Sequence, residues 1–238
     1  MTGLAAAPSR RDMLDHVIGD ILPAAVAAEE TFGDDPAAEI FPEEQETIAK
    51  AVVKRRQEFI TGRACARAAL ARLGLPPAPI LRGERGEPQW PAGVVGSITH
   101  CAGYRACAVA RQRDVLTLGL DAEPHGPLPG GVLNAVAGPQ EQARLTELTT
   151  AHPGVHWDRL LFSAKESVYK AWFPVTGQWL GFSDAAVDLS PSGRSPSGRS
   201  LSGRFTAQIL LDDAPIKNFE GRWLVAHDLL ATAIAVAA

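Results

Sequence analysis

Residues 42–73, PEEQETIAKAVVKRRQEFITGRACARAALARL, place Ile48, Val52, Phe59, Ala66, Leu70 and Leu73 at helical intervals. Glu43, Glu44 and Glu46 enter the segment and Gly74 closes it, which suits the macrodipole and the stop. The spacing predicts a helix over 42–73, with a break near Gly62. Beyond Pro76 the apolar runs shorten: 93–98, 105–110 and 115–121 are separated by glycines or charges and read as three strands. A second helix is expected from Ser163 to about Trp172, where Pro174 and Gly177 stop it, followed by short apolar stretches at 205–211, 222–226 and 230–237. Each half thus reads as a long helix accompanied by strands. The expected fold class is α+β, with two related halves, residues 1–112 and 113–238, joined near 111–115. No sequence repeat at that period proves a duplication.

The 238 residues are 46% apolar and 21% charged, the balance of a folded chain. A formal charge of -4 argues against a nucleic-acid binder, yet Arg55, Arg56, Arg63, Arg67 and Arg72 form a local cationic stripe suited to a phosphate-rich small ligand. Cys65, Cys101 and Cys107 make no C-x-x-C pair, and their odd number disfavours a secreted disulfide framework, so they read as buried thiols. With no apolar signal core and no stretch of membrane-spanning length, the expected location is the cytoplasm, with no membrane partner. Residues 190–204 are a low-complexity insert, SPSGR, SPSGR and SLSGR, read as a mobile surface loop whose arginines either are solvated or meet an acidic partner.

Chemistry concentrates in two segments. In LTLGLDAEP, from Leu116, strand alternation sends Asp121 and Glu123 to one face and Ala122 to the other. Two carboxylates so placed make half a site for a hard cation such as Mg2+, completed by a diphosphate; the plainer alternative is a polar strand end before a turn at Pro124. His125 could extend the pair to a transition-metal site, but Pro124 breaks the strand before the imidazole joins that face. In LLFSAKESVYKAW, from Leu160, Ser163 and Glu166 fit a capping box, and Glu166 and Lys170 stand four apart as a surface ion pair would. The competing reading puts Lys165 and Glu166 in a first helical turn, where exposed amides favour an anion, with the glutamate completing a metal site and the lysine holding a phosphate. The S-x-x-K at Ser167–Lys170 lacks its K-T-G and S-D-N companions, and no Walker A loop, G-x-S-x-G elbow or H-E-x-x-H is present.

Four segments, RRQEFITGRACARAAL from Arg55, PQWPAGVVGSITHCAGY from Pro88, LGLDAEPHGPLP from Leu118 and FSAKESVYKAW from Phe162, together resemble the phosphopantetheinyl transferases of the surfactin-synthetase and enterobactin-synthetase component D type, the actinobacterial members above all. The resemblance spans about residue 20 to the end, without the SPSGR insert. It implies a monomer of two similar α+β halves related by a pseudo-two-fold axis, with coenzyme A in the cleft between them. It also implies Asp121, Glu123 and Glu166 as ligands of Mg2+ or Mn2+. Arg55 and Arg63 would bind the nucleotide phosphates, Ser97 and His100 the phosphates, Lys165 the diphosphate, and Arg82 the adenine side. The implied reaction moves the phosphopantetheine arm of coenzyme A to a serine of an apo acyl or peptidyl carrier protein, releasing adenosine 3′,5′-bisphosphate. Glu166 would be base, ligand or both. The carriers would serve fatty-acid, polyketide, nonribosomal-peptide or siderophore assembly. A non-catalytic binding module of the same fold and a magnesium-dependent diphosphate hydrolase are the rival readings.

Overall fold

Residues 94–101 and 104–111 pair across Ala102 and Gly103, and the glycine supplies the positive φ of the turn. They are strands β2 (Val94–Cys101) and β3 (Tyr104–Arg111) of a computed structural model that describes residues 17–194 and 200–238. Strand β1 (Val26–Phe32) pairs with the other side of β3, so the first sheet has the order β1-β3-β2, wholly antiparallel. Strand β4 (Val115–Pro124) opens a second antiparallel sheet of order β4-β8-β7-β6-β5, with β5 (Ala185–Arg194), β6 (Leu201–Ile209), β7 (Asn218–Ala226) and β8 (Leu229–Ala237). The α+β class holds, with an antiparallel sheet and a 20-residue helix in each half.

The expected helix over 42–73 is two helices, α1 (Pro42–Ile48) and α2 (Val53–Arg72). The break lies at 49–52, not near Gly62. Val52 is extended there, and the adjoining Val52 and Val53 are β-branched residues whose stiff χ1 disfavours carrying one helix through. Gly62 stays helical, and a Cβ on it would make only ordinary contact, 3.5 Å, with Ile98 Cγ2 of β2.

The second long helix, α5 (Trp157–Thr176), begins six residues before the expected Ser163 and runs past Pro174 to Gly177, whose φ of 65° closes it. Pro174 has no N–H to give the Lys170 carbonyl, so the helix forgoes one backbone bond there and ends within three residues. Ser163 is therefore a buried mid-helix residue bonded to Thr232 at 3.0 Å, and the expected capping box does not exist. Before α5 come two helices the sequence did not announce, α3 (Val132–Val136) and α4 (Pro139–Ala151).

The insert is also corrected in part. Its first copy of the pentapeptide ends β5 and its third leads β6, paired as Ser190↔Arg204 and Pro191↔Gly203. The expected loop at 195–199 lies outside the described residues.

Three apolar regions hold the layers together. Helix α5 packs Leu160, Ala164, Val168 and Trp172 on Phe205, Phe219 and Trp223 of the larger sheet. Helix α2 packs Ala66, Ala69 and Leu70 on Cys107 and Val109 of the smaller one. Between the sheets, Tyr104, Ala106 and Ala108 meet Leu120, Ala122, Leu224 and Ala231. Each of the largest of these side chains contributes about 1.5–3 kcal/mol by leaving water. The two sheets meet along β2 and β4 without a backbone ladder. Instead Ser97 Oγ accepts from the Leu120 amide at 3.1 Å and Thr99 Oγ1 from the Ala122 amide at 3.0 Å. All three cysteines are free thiols, Cys65 and Cys107 buried and Cys101 half-buried. Among the described residues no helix is long and apolar enough to cross a membrane.

Candidate active site

Alternation along β4 turns Thr117, Gly119, Asp121 and Glu123 toward α5. Thr117 Oγ1 donates to the Ala171 carbonyl at 2.7 Å. A Cβ on Gly119 would fall 1.9 Å from the Ser167 carbonyl oxygen, so strand and helix backbones touch there. That contact brings Asp121 and Glu123 to the helix face carrying Arg159, Glu166 and Lys170, which stand at i, i+7 and i+11 on one stripe. Lys170 Nζ donates to Asp121 Oδ1 at 2.7 Å and to the Leu120 carbonyl at 3.1 Å. Arg159 Nη1 donates to Glu123 Oε2 at 3.0 Å.

Asp121 is buried, and its second oxygen, Oδ2, has no hydrogen-bond partner. Such an atom is costly to leave dry unless a cation or water meets it. Burial, and next the charge of Asp121, push the Glu123 and Glu166 carboxyls up from the ordinary value. Asp121 thus lies within electrostatic reach of Glu123 on β4 and of Glu166 on α5, and the all-oxygen donor set and the unpartnered Oδ2 fit a hard divalent cation. The three carboxylates do not yet converge on a point: among the described residues no three His, Cys, Asp or Glu side chains stand close enough to hold a metal. The positive charge near them comes from Lys170 and Arg159.

The first half contributes a second cluster. Arg55 Nη1 donates to His100 Nε2, while His100 Nδ1 lies 3.7 Å and Arg55 3.6 Å from Glu58. Arg105 stands 3.9 Å from Glu58 and pairs with Asp34 at 2.8 Å. Burial, and then the Arg55 guanidinium, pull the His100 imidazole down to about 4. Lys170 acts on it in the same direction, so the two clusters feel each other across the β2–β4 seam.

Several expected site residues are used elsewhere. Arg63 is buried, its Nε bonded to the Ile80 carbonyl at 2.8 Å beside Glu44, and desolvation draws it down to about 10. Arg67 and Arg72 pair with Glu44 and Glu29, so the cationic stripe is largely neutralised within its own half. Ser97 serves the β2–β4 seam. Arg82 is exposed on the loop before β2, bridged to Pro88.

Neither Lys165 nor Glu166 is in a first turn. Adjacent helical residues diverge by about 100°, so Lys165 points away from the carboxylates. It is buried and donates to the Val136 carbonyl, Glu141 Oε2 and the Phe182 carbonyl at 2.8, 2.9 and 2.8 Å. His125 accepts from the His156 amide at 3.3 Å and stacks edge-on with that ring, 4.9 Å between centroids. Sequence reasoning missed Arg159, Glu58 and Arg105. The i, i+7, i+11 spacing of Arg159, Glu166 and Lys170 was the available signal for the first of them.

Residues 43–110 match the profile described as the 4'-phosphopantetheinyl transferase N-terminal domain, and residues 117–222 that of the 4'-phosphopantetheinyl transferase superfamily. This chain belongs to the 4'-phosphopantetheinyl transferase superfamily. It is a transferase by that membership, and its closely related proteins carry the same activity in their names. It is 51% identical over 230 residues to 4'-phosphopantetheinyl transferase Svp of Streptomyces mobaraensis, covering 93% of this chain and 90% of that one. It is 47% identical to 4'-phosphopantetheinyl transferase PptT of Mycobacterium tuberculosis, over 92% of this chain and 97% of the relative. Enterobactin synthase component D of Salmonella typhimurium is 34% identical over half of this transferase and 49% of its own length.

Proposed function

We propose that this transferase moves the 4'-phosphopantetheine arm of coenzyme A to a serine of an apo acyl or peptidyl carrier protein, with Mg2+ or Mn2+ at Asp121, Glu123 and Glu166. The observation that carries the reading is the unpartnered Oδ2 of Asp121, buried beside two carboxyls and two cations drawn from β4 and α5. In the reaction the serine oxygen bonds to the pantetheine-side phosphorus, the diphosphate P–O bond breaks, and adenosine 3′,5′-bisphosphate leaves with the bonding pair. A divalent cation in such a site neutralises diphosphate charge. Glu166, whose carboxyl already binds a proton more readily than usual, accepts the serine proton.

Lys170 reaches Asp121 from a half-exposed side chain and supplies cationic charge to the leaving side. Arg55, nearly half exposed and steadied by the Nε2 of the neutral His100, takes a nucleotide phosphate. Arg82, exposed on the loop before β2, takes the adenine side in this reading. Arg63, Ser97 and Lys165 act by holding these elements in place. The nucleotide side then belongs to residues 1–112 and the metal side to 113–238.

The test is incubation with coenzyme A, magnesium and a panel of apo carrier proteins, followed by intact-mass spectrometry. The expected result is one phosphopantetheine added per serine, lost on chelation. Release of free phosphopantetheine without acceptor would point to a hydrolase, and coenzyme A binding without any mass change to a non-catalytic module.

A further inference from the structure

The stripe of α5 that faces β4 begins with a residue tied down more firmly than its neighbours. Arg159 donates from Nη1 to Glu123 at 3.0 Å, from Nε to the Gly126 carbonyl at 3.3 Å and from Nη2 to the Pro127 carbonyl at 2.7 Å. Asp158 beside it accepts from the Leu128 amide at 2.9 Å. The first turn of α5 therefore grips the chain leaving β4 through Glu123 and three consecutive residues beyond. The side chains of Arg159 and Glu123 are 18% and 22% exposed, so water screens the pair only partly.

We propose that Arg159 is an internal counter-ion that holds Glu123 away from a divalent cation, so that Glu123 joins as a ligand only when Arg159 releases it. The inference rests on the metal reading of Asp121, Glu123 and Glu166 given above. Its physical basis is charge and geometry together. A guanidinium stays protonated at any working pH, and a fixed positive charge on one ligand opposes a second, divalent charge at the same carboxylates. Lys170 is the easier of the two cations to displace. Its side chain is 28% exposed and flexible, with one carboxylate and one carbonyl as partners. The planar fork of Arg159 has three partners at fixed angles. A cation entering without its diphosphate would therefore meet Asp121 and Glu166 first, with Glu123 still engaged. Arg159 is a positioning residue in this account, acting through Glu123.

A purely structural role predicts the opposite sign. If Arg159 only anchored the loop after β4, its removal would loosen Glu123 and weaken cation binding. As a counter-ion, its removal should tighten it. The experiment is direct titration of the full-length protein with Mn2+ in the absence of coenzyme A, reading free Mn2+ by electron paramagnetic resonance, with a thermal melt to confirm folding. Arg159→Gln should lower the Mn2+ dissociation constant by about tenfold, the size expected for removing one partly screened charge. Adding Glu123→Gln to that variant should return most of the gain. Arg159→Lys, which keeps the charge but cannot span three partners, should tighten binding by less than Arg159→Gln does, and Arg159→Met carries the test with the same expected tightening if Arg159→Gln fails to fold.

Unchanged or weaker Mn2+ binding in Arg159→Gln, with wild type binding and Asp121→Asn not binding, would overturn the counter-ion role and leave the metal site standing. Arg159→Lys tightening as much as Arg159→Gln would also overturn it, since charge would then not be the cause. Binding in Arg159→Gln alone, with none in wild type, supports the proposal in its strongest form. No specific binding in any variant would remove the metal reading, and the counter-ion role with it.

Discussion

Lys170 on α5 donates to one oxygen of Asp121 on β4 at 2.7 Å, and the other oxygen of that carboxylate is buried without a partner. A carboxylate half-satisfied by a cation and half-open is poised for a second cation. Asp121→Asn keeps the shape and removes the charge. Transfer to an apo carrier protein should fall about a thousandfold, equivalent to roughly 4 kcal/mol of barrier, while the protein still unfolds cooperatively. Wild-type turnover by the folded variant, followed by intact mass, would take Asp121 out of the site.

The two lysines of α5 should separate stability from rate. Lys165 satisfies two buried carbonyls and Glu141, which itself accepts from the Gly138 and Val187 amides at 2.9 Å. Lys165→Met leaves that carboxylate uncompensated and should cost about 3–5 kcal/mol in denaturant unfolding. Lys170→Met should cost less stability, about 1–2 kcal/mol, and lower the transfer rate more than a hundredfold. The reverse ranking would return Lys165 to the reacting centre.

Gly119 has no room for a side chain. A methyl there would stand 1.9 Å from the Ser167 oxygen and 2.9 Å from the Ala171 nitrogen, both backbone atoms that cannot swing aside. Gly119→Ala should destabilise by about 3 kcal/mol or more, because α5 must lift from β4. Activity should fall with it even below the melting range, as Asp121 and Glu166 part. A variant of unchanged unfolding midpoint would contradict the contact.

His100 sets one component of the pH dependence. Its folded value of about 4 lies below the ordinary 6.5, caused by burial first and then by Arg55. Between those values the unfolded chain binds the proton and the folded one does not, so stability is full above 6.5 and is lost as pH falls toward 4. Glu123 and Glu166, raised by burial, act in the opposite sense and gain stability as pH falls. Denaturant unfolding at stepped pH should therefore show a shallower acid loss in His100→Gln than in wild type. An equal or steeper loss would mean that the imidazole is already charged in the folded protein.

Much of this was readable from residue pattern alone. The strands at 93–98, 105–110 and 115–121 were announced by apolar runs between turn residues, and alternation placed Asp121 and Glu123 on one face as found. The S-x-x-E pattern at Ser163 misled because a helix start and a buried serine within a helix look alike in one dimension. What distinguishes them is Thr232, which lies far along the chain and gives Ser163 its partner. Strand β1 escaped notice because VAAEETF runs small and acidic residues together and no position in it is fully buried. Arg63 and Lys165 read as ligand contacts by resemblance, and Lys165 also because a helix start was expected at Ser163. Their true partners, the Ile80, Val136 and Phe182 carbonyls, carry no side-chain signature in a sequence.

Arg159, Glu166 and Lys170 ride on one rigid helix clamped at its middle by the Gly119 contact. A small roll of that helix would swing all three tips past the strand in concert, much as turning a key moves every tooth at once. Tuning of this centre in related sequences should then accumulate in the buried packing residues of α5 itself, such as Trp157, Val168 and Trp172, where a change in bulk resets the angle of the whole set without altering a single charged group.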